Sequence, residues 1–186
     1  MVQNLERPLT RAVLQARATR DPDPQSRVNA VTELARRWSG DSETLALLKT
    51  IAQDDDHPAV IAAAMTALAQ GWHDDPATLA WFKTYAQYAK NPLVRSAAIA
   101  ELARGWSNEF NVFEILSKCA FVDPFRRHDA AEVNPRQSAL AAMIEQYPTY
   151  HQTWALVEER AENDADPCLR QFASQQLADH ALTTSP

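Results

Sequence analysis

Asn91-Pro92-Leu93-Val94-Arg95-Ser96-Ala97-Ala98-Ile99-Ala100-Glu101-Leu102-Ala103-Arg104-Gly105-Trp106 is the stretch that decides the fold. Asn91 is a capping-type residue, and a proline directly after it gives up an N–H that has no partner in the first helical turn. Val94, Ala98, Leu102 and Trp106 then recur at helical spacing and form one apolar stripe, with Arg95, Glu101 and Arg104 on the opposite side. A helix therefore starts after Asn91, and Gly105 stands where the chain is expected to leave it.

Working outward, the same signals return. Trp38, Trp72 and Trp106 are each 34 residues apart, as are Leu34, Leu68 and Leu102, then Leu48, Phe82 and Leu116, then Ala52, Ala86 and Ala120. Widening the step once to 41 carries Leu116 to Val157 and Trp106 to Tyr147, which places an insertion at residues 124–134. Asp23-Pro24, His57-Pro58, Asn91-Pro92 and Asp166-Pro167 start a first helix in each copy, whereas Asn134-Pro135 sits two residues out of register. Gly71 and Gly105 are expected to close the first helices of two copies, with Arg37 in that place in another. Asp41 and Asp75-Pro76 start the second helices, whose apolar arcs are wide enough to touch neighbours on two sides.

The expected architecture is a single all-α domain over residues 1–186, built from helical hairpins with a period of about 34 residues and about ten helices. Its divisions are a lone second helix at 9–20, hairpins at 21–53, 54–88, 89–123 and 135–163, the insertion 124–134, and a lone first helix at 164–182. Ile51, Tyr85 and Cys119 are replaced by Arg17 and Arg160 near the two ends, as capping requires. A self-contained stack and a domain detached from a longer protein both stay open.

Composition narrows the function classes. Three glycines argue against a turn-rich all-β fold. With 24 acidic against 18 basic residues and a net charge of −6, no basic footprint for phosphate backbones is present, so nucleic acid is not the expected partner. No signal-peptide pattern opens the chain and no apolar run is long enough to span a bilayer, so a cytoplasmic protein without a membrane partner is expected. Cys119 and Cys168 lack metal-ligand spacing and read as free thiols.

The order Asn91-Pro92, Val94-Arg95, then Ala and Leu at helical spacing resembles the HEAT repeat family over nearly the whole chain. Arg27, Arg95, Arg136 and Arg170 occupy the family's arginine position, and Ile61 departs from it, which breaks any arginine ladder there. Tetratricopeptide repeats share the period but not the residue order. The resemblance implies a right-handed α-solenoid that works by binding a protein or peptide, without a cofactor and without catalysis. The recurring Leu102-Ala103-Arg104-Gly105-Trp106 pattern, with Asp74-Asp75-Pro76-Ala77-Thr78-Leu79 after the second Trp, is similar to repeats C-terminal to the nucleotide-binding module of bacterial STAND or NACHT-type NTPases. That likeness implies a sensor role, but no phosphate-binding Gly-x-x-x-x-Gly-Lys loop occurs here. Among HEAT-like enzymes, the His-Glu dipeptides of deoxyhypusine hydroxylases are missing, and the charge disfavours a DNA glycosylase. A subunit of a phycobilin-lyase-like enzyme is the alternative.

The acid–His clusters Asp54-Asp55-Asp56-His57 and His73-Asp74-Asp75 fall at helix N-termini, where capping explains them better than a metal. The tryptophan series is read as packing. Trp81, Tyr85 and Tyr88 read as inter-repeat core, with Tyr88 reaching solvent. Candidate partner contacts are Lys49, Lys83, Thr50 and Thr84, on second helices that the resemblance places on the concave face. Tyr88 joins them, as do Phe125, Arg126 and Arg127 of the insertion, which combine an apolar anchor with charge.

Overall fold

The computed structural model describes residues 10–129 and 131–184. They form α1 (Arg11–Arg20), α2 (Pro24–Arg37), α3 (Ser42–Asp54), α4 (Pro58–Gly71) and α5 (Pro76–Tyr88). After these come α6 (Pro92–Trp106), α7 (Val112–Val122), α8 (Pro135–Gln146), α9 (His151–Asn163) and α10 (Pro167–Thr184). There is no strand among the described residues. The start of α1 at Arg11 leaves Leu9, the first residue of the expected span 9–20, outside the described residues.

The capping residues act as their chemistry dictates. The Asp23, Asp75 and Asn91 side chains accept backbone N–H bonds from Gln25, Ala77 and Leu93, each two residues on, at 3.2, 3.0 and 2.9 Å. His57 caps α4 through Nδ1, which accepts the Ala59 N–H at 3.3 Å. Asp23, His57 and Asp75 are therefore occupied with helix ends. Gly71 is the last residue of α4, as expected, and the left-handed conformations belong to Gly40 (φ 80°) and Asn111 (φ 66°). Gly105 lies inside α6, which continues to Trp106.

The chain divides into two compact units, one ending at His73 and one beginning at Asp74. In the first, α1 packs along α2 and α3 along α4, while α2 and α4 lie intimately side by side. In the second, α5 packs along α6, α7 along α8 and α9 along α10, again with an intimate α6–α8 contact. This side-by-side stacking of consecutive helices is that of a helical-repeat solenoid. The expected division places α2 and α3 in one hairpin, and those two touch less closely than α1 with α2 or α3 with α4. Within each unit the close pairs instead meet across the turns that contain the proline. The short turn and the arginine described next hold them there.

That arginine recurs as a buried clamp. Arg27 donates through Nε and Nη2 to both carboxylate oxygens of Asp55, each at 2.9 Å, and through Nη1 to the Asp21 carbonyl at 3.0 Å. Arg95 makes the same three-way contact with Asp123, at 2.5 and 2.9 Å, and with the Ala89 carbonyl at 2.7 Å. Arg136 does so with Asp164 at 2.8 Å twice, its Nη1 reaching the carbonyls of Asp123 and Phe125. Each partner aspartate is 28 residues on. It caps the C-terminus of α3, α7 or α9, and its other bond accepts the N–H two residues later. One guanidinium thus ties a helix end, a turn and the next hairpin together. Where the pattern breaks, Ile61 and Ala89 replace arginine and aspartate together, so neither charge is left without its counter-charge.

Around the clamps the core repeats as well. Leu14, Leu48, Phe82, Leu116 and Val157 are at most 2% exposed, as are Leu34, Leu68, Leu102 and Met143. Trp72 and Trp106 are buried, and the Trp106 ring lies 5.2 Å from Phe82, so these tryptophans are packing residues. Trp38 is half-buried beneath the Arg11 guanidinium.

Removing one member of a buried bidentate pair strands the other charge. Arg136→Ala is therefore expected to lose ~3–5 kcal/mol in urea denaturation. Arg36→Ala, which breaks an exposed pair with Glu33, should lose under ~1 kcal/mol. Equal losses would contradict the clamp's role.

Candidate functional site

The expected contact residues fall into three settings. Lys49 and Thr50 are on α3 in the first unit, and Thr50 spends its hydroxyl hydrogen on the Ala46 carbonyl at 3.1 Å. On α5 in the second unit, Thr84 does the same to Ala80 at 2.9 Å, and Lys83 donates through Nζ to the Phe110 carbonyl at 2.8 Å. Lys83 thereby braces the α6–α7 turn. Within the first unit α1 and α3 touch little while α2 and α4 lie close, and within the second α5, α7 and α9 touch little in sequence while α6 and α8 lie close.

The insertion is pinned rather than adaptable. Phe125 is 8% exposed, under a cation–π contact from Arg127 at 5.7 Å. Arg127 grips the Asp166 carboxylate through Nε, at 3.0 Å to each oxygen, and Nη2, and donates through Nη1 to the Glu132 carbonyl at 2.5 Å. Asn134 adds a bond to Asp166 at 2.8 Å. Glu132 in turn accepts the N–H groups of His128 and Asp129. Of the three residues expected to form an anchor, Phe125 and Arg127 hold the loop to α10, and Arg126 alone is fully exposed. Burial opposes ionisation of Asp166, yet the bonds from Arg127, Asn134 and the Cys168 N–H hold its carboxyl below the ordinary value. Asp164 is likewise lowered against burial, by Arg136, the Asp166 N–H and the charge of Arg160.

One group does come together, on α5 and α7. Tyr88 is 66% exposed, and Lys118 reaches it from α7, with Nζ 3.2 Å from the phenol oxygen and 5.3 Å from the ring centre. Lys118 also donates to Gln87 Oε1 at 3.2 Å. One turn later on α7, Phe121 and Val122 are 52% and 56% exposed, and the Arg160 guanidinium lies 4.6 Å from the Phe121 ring centre. Sequence reasoning passed over Lys118, Phe121 and Val122, although a signal exists. They stand in register with Thr84, Gln87 and Tyr88 of the preceding copy and with Thr50, Gln53 and Asp54 before that. Polar positions have become apolar where burial does not demand it. Phe110, 82% exposed, was also missed. Glu109 stands where Asp41 and Asp75 cap the earlier second helices, so α7 begins late and without a side-chain cap, behind the left-handed Asn111.

Other features are more modest. An open groove between α2 and α4 is lined by Thr32, Ala35, Arg36, Ala63 and Thr66, and another beside the insertion by Asn134, Gln137, Ser138 and Cys168. No cluster suited to a metal ion occurs among the described residues, and no helix there is long and apolar enough to cross a membrane. The cysteines differ sharply. Burial pushes the Cys119 thiol up to about 12, and its sulfur lies 3.4 Å from the Ala86 carbonyl, whereas Cys168 is exposed. A thiol reagent is therefore expected to modify Cys168 alone in the folded protein, with Cys119 reacting only on unfolding. Two equally fast thiols would contradict this packing.

Comparison with known proteins agrees with the architecture. A family model described as HEAT repeats matches residues 11–103, half of the chain. No curated protein and no solved structure matches it. With that match and the stacked helical hairpins, the chain belongs to the HEAT repeat family.

Proposed function

We propose that this chain is a non-catalytic HEAT-repeat module that binds a protein or peptide in the cytoplasm. The observation that carries the reading is the contrast between its two kinds of charged group. The buried carboxylates Asp55, Asp123, Asp164 and Asp166 are each gripped by an arginine, so they serve as structural parts. The side chains facing solvent at the C-terminal ends of α5 and α7, Tyr88, Lys118, Phe121 and Val122, are aromatic, aliphatic and cationic, the composition of an interface rather than of a reaction centre. HEAT repeats as a family mediate protein interactions, which supports the same reading. The setting we favour is the sensor part of a bacterial STAND-type NTPase, on the strength of Leu102-Ala103-Arg104-Gly105-Trp106 and its counterpart Leu68-Ala69-Gln70-Gly71-Trp72.

Site-specific photo-crosslinking in the source cell tests the proposal. A benzophenone amino acid at Thr32 or Ala63 in the first unit, or at Thr84 or Phe121 in the second, is expected to give a discrete protein adduct from at least one surface. The absence of a protein adduct at all four positions would contradict it.

A further inference from the structure

The grooves and the exposed cysteine carry little, because small residues line one groove and nothing at Cys168 points to a ligand. The exposed surface at the C-terminal ends of α5 and α7 carries more. We propose that Tyr88, Lys90, Lys118, Phe121, Val122 and Arg126 form the docking surface for an acidic segment of a partner protein that also carries apolar side chains. The inference rests on the binding-module reading and specifies its partner chemistry.

The argument begins with charge. The chain as a whole carries −6, so a local excess of cations needs a reason. α5 contains no acidic residue, and Glu114 is the one carboxylate on α7, a full turn before Lys118. Three further carboxylates toward this end are engaged, while Glu158 and Glu162 on α9 are exposed. Asp123 is buried against Arg95, Glu159 pairs with Arg160, and Glu132 accepts the backbone of the insertion. Lys90, Lys118 and Arg126 are all exposed. Among the described residues Lys118 has neutral partners, Gln87 and Tyr88, which fix its position without cancelling its charge.

Apolar area supplies the rest. Tyr88, Phe121 and Val122 are each more than half exposed, at 66%, 52% and 56%, and Lys118 contacts the first while lying one turn from the other two. A large exposed aromatic beside a fixed cation is the composition of an interface anchor, and a carboxylate flanked by an apolar side chain is its complement. Phosphate backbones need a broader basic tract than three cations, and a lipid surface offers no reason for Lys118 to be held over a ring.

The test is fluorescence anisotropy of the full chain with a labelled peptide alternating Glu and Leu. A length-matched Lys and Leu peptide and phosphatidylserine-containing vesicles serve as comparisons. The acidic peptide is expected to bind, more weakly as salt rises. Lys118→Glu with Arg126→Glu should weaken it by about tenfold or more, and Phe121→Ser by a similar factor. Arg36→Glu, in the groove of the first unit, should leave binding unchanged. Both sets of variants are checked for folding by circular dichroism. Equal binding of the Lys peptide, preference for vesicles, or unaltered binding by the patch variants would overturn the proposal. A crosslinked partner retained by Lys118→Glu/Arg126→Glu would remove this surface while leaving the binding-module reading intact. Loss of every adduct in the unsubstituted chain would remove that reading instead.

Discussion

A guanidinium buried between a helix-end carbonyl and a carboxylate from the following hairpin is the interaction on which the rest depends. The arginine side chain cannot shed its charge, so once it is placed in the interior it must be fully satisfied. The bidentate carboxylate neutralises it, and the carbonyl six residues earlier uses a further donor in Arg27 and Arg95. The geometry therefore sets the spacing between repeats as well as stabilising them. It accounts for the aspartate at the C-terminus of α3, α7 and α9, for the tight turn that follows, and for the close pairing across that turn. Where one member is gone, at Ile61, its partner position holds Ala89 and is free of charge too.

The insertion shows how strongly this constraint acts. Seven extra residues between Asp123 and Arg136 could have pushed the arginine out of register, since the repeat step widens from 34 to 41. Instead Arg136 keeps its distance of 28 residues from Asp164, and the added chain is absorbed before it. The loop is then fastened by a second arginine–aspartate pair, Arg127 with Asp166. Because that pair and the buried Phe125 hold the loop down, Arg126 is left exposed, and it is this side chain that the proposed surface uses.

The repeat, the helix starts and the arginine position could be read from residues alone, because each follows from local chemistry. A capping side chain before proline starts a helix wherever it occurs, and a position buried in every copy keeps its apolar character. Pairing of helices was harder. Trp38 to Asp41 and Asp21 to Asp23 are both short turns, and nothing in either says which one closes onto an intimate contact. The aspartate partner of the clamp also escaped notice, since Asp55 and Asp123 look like ordinary helix-end residues until the arginine 28 residues earlier is seen to reach them. For the proposed surface, Tyr88 and Arg126 stand out through their departure from the repeat. Phe125 and Arg127 depart from it equally, but for internal reasons, and only burial separates the two cases. Phe121 and Val122 look like core residues in a helix of this composition, so their exposure was hidden.

The central claim is that arginine and aspartate act as one unit, which a double-mutant cycle on Arg95 and Asp123 measures. Arg95→Met, Asp123→Leu and the combined variant are unfolded in urea alongside the unsubstituted protein. The account requires the combined variant to be more stable than the sum of the single losses allows, with a coupling of about 2 kcal/mol or more. Single losses that simply add would show that each residue contributes alone and that no clamp sets the repeat.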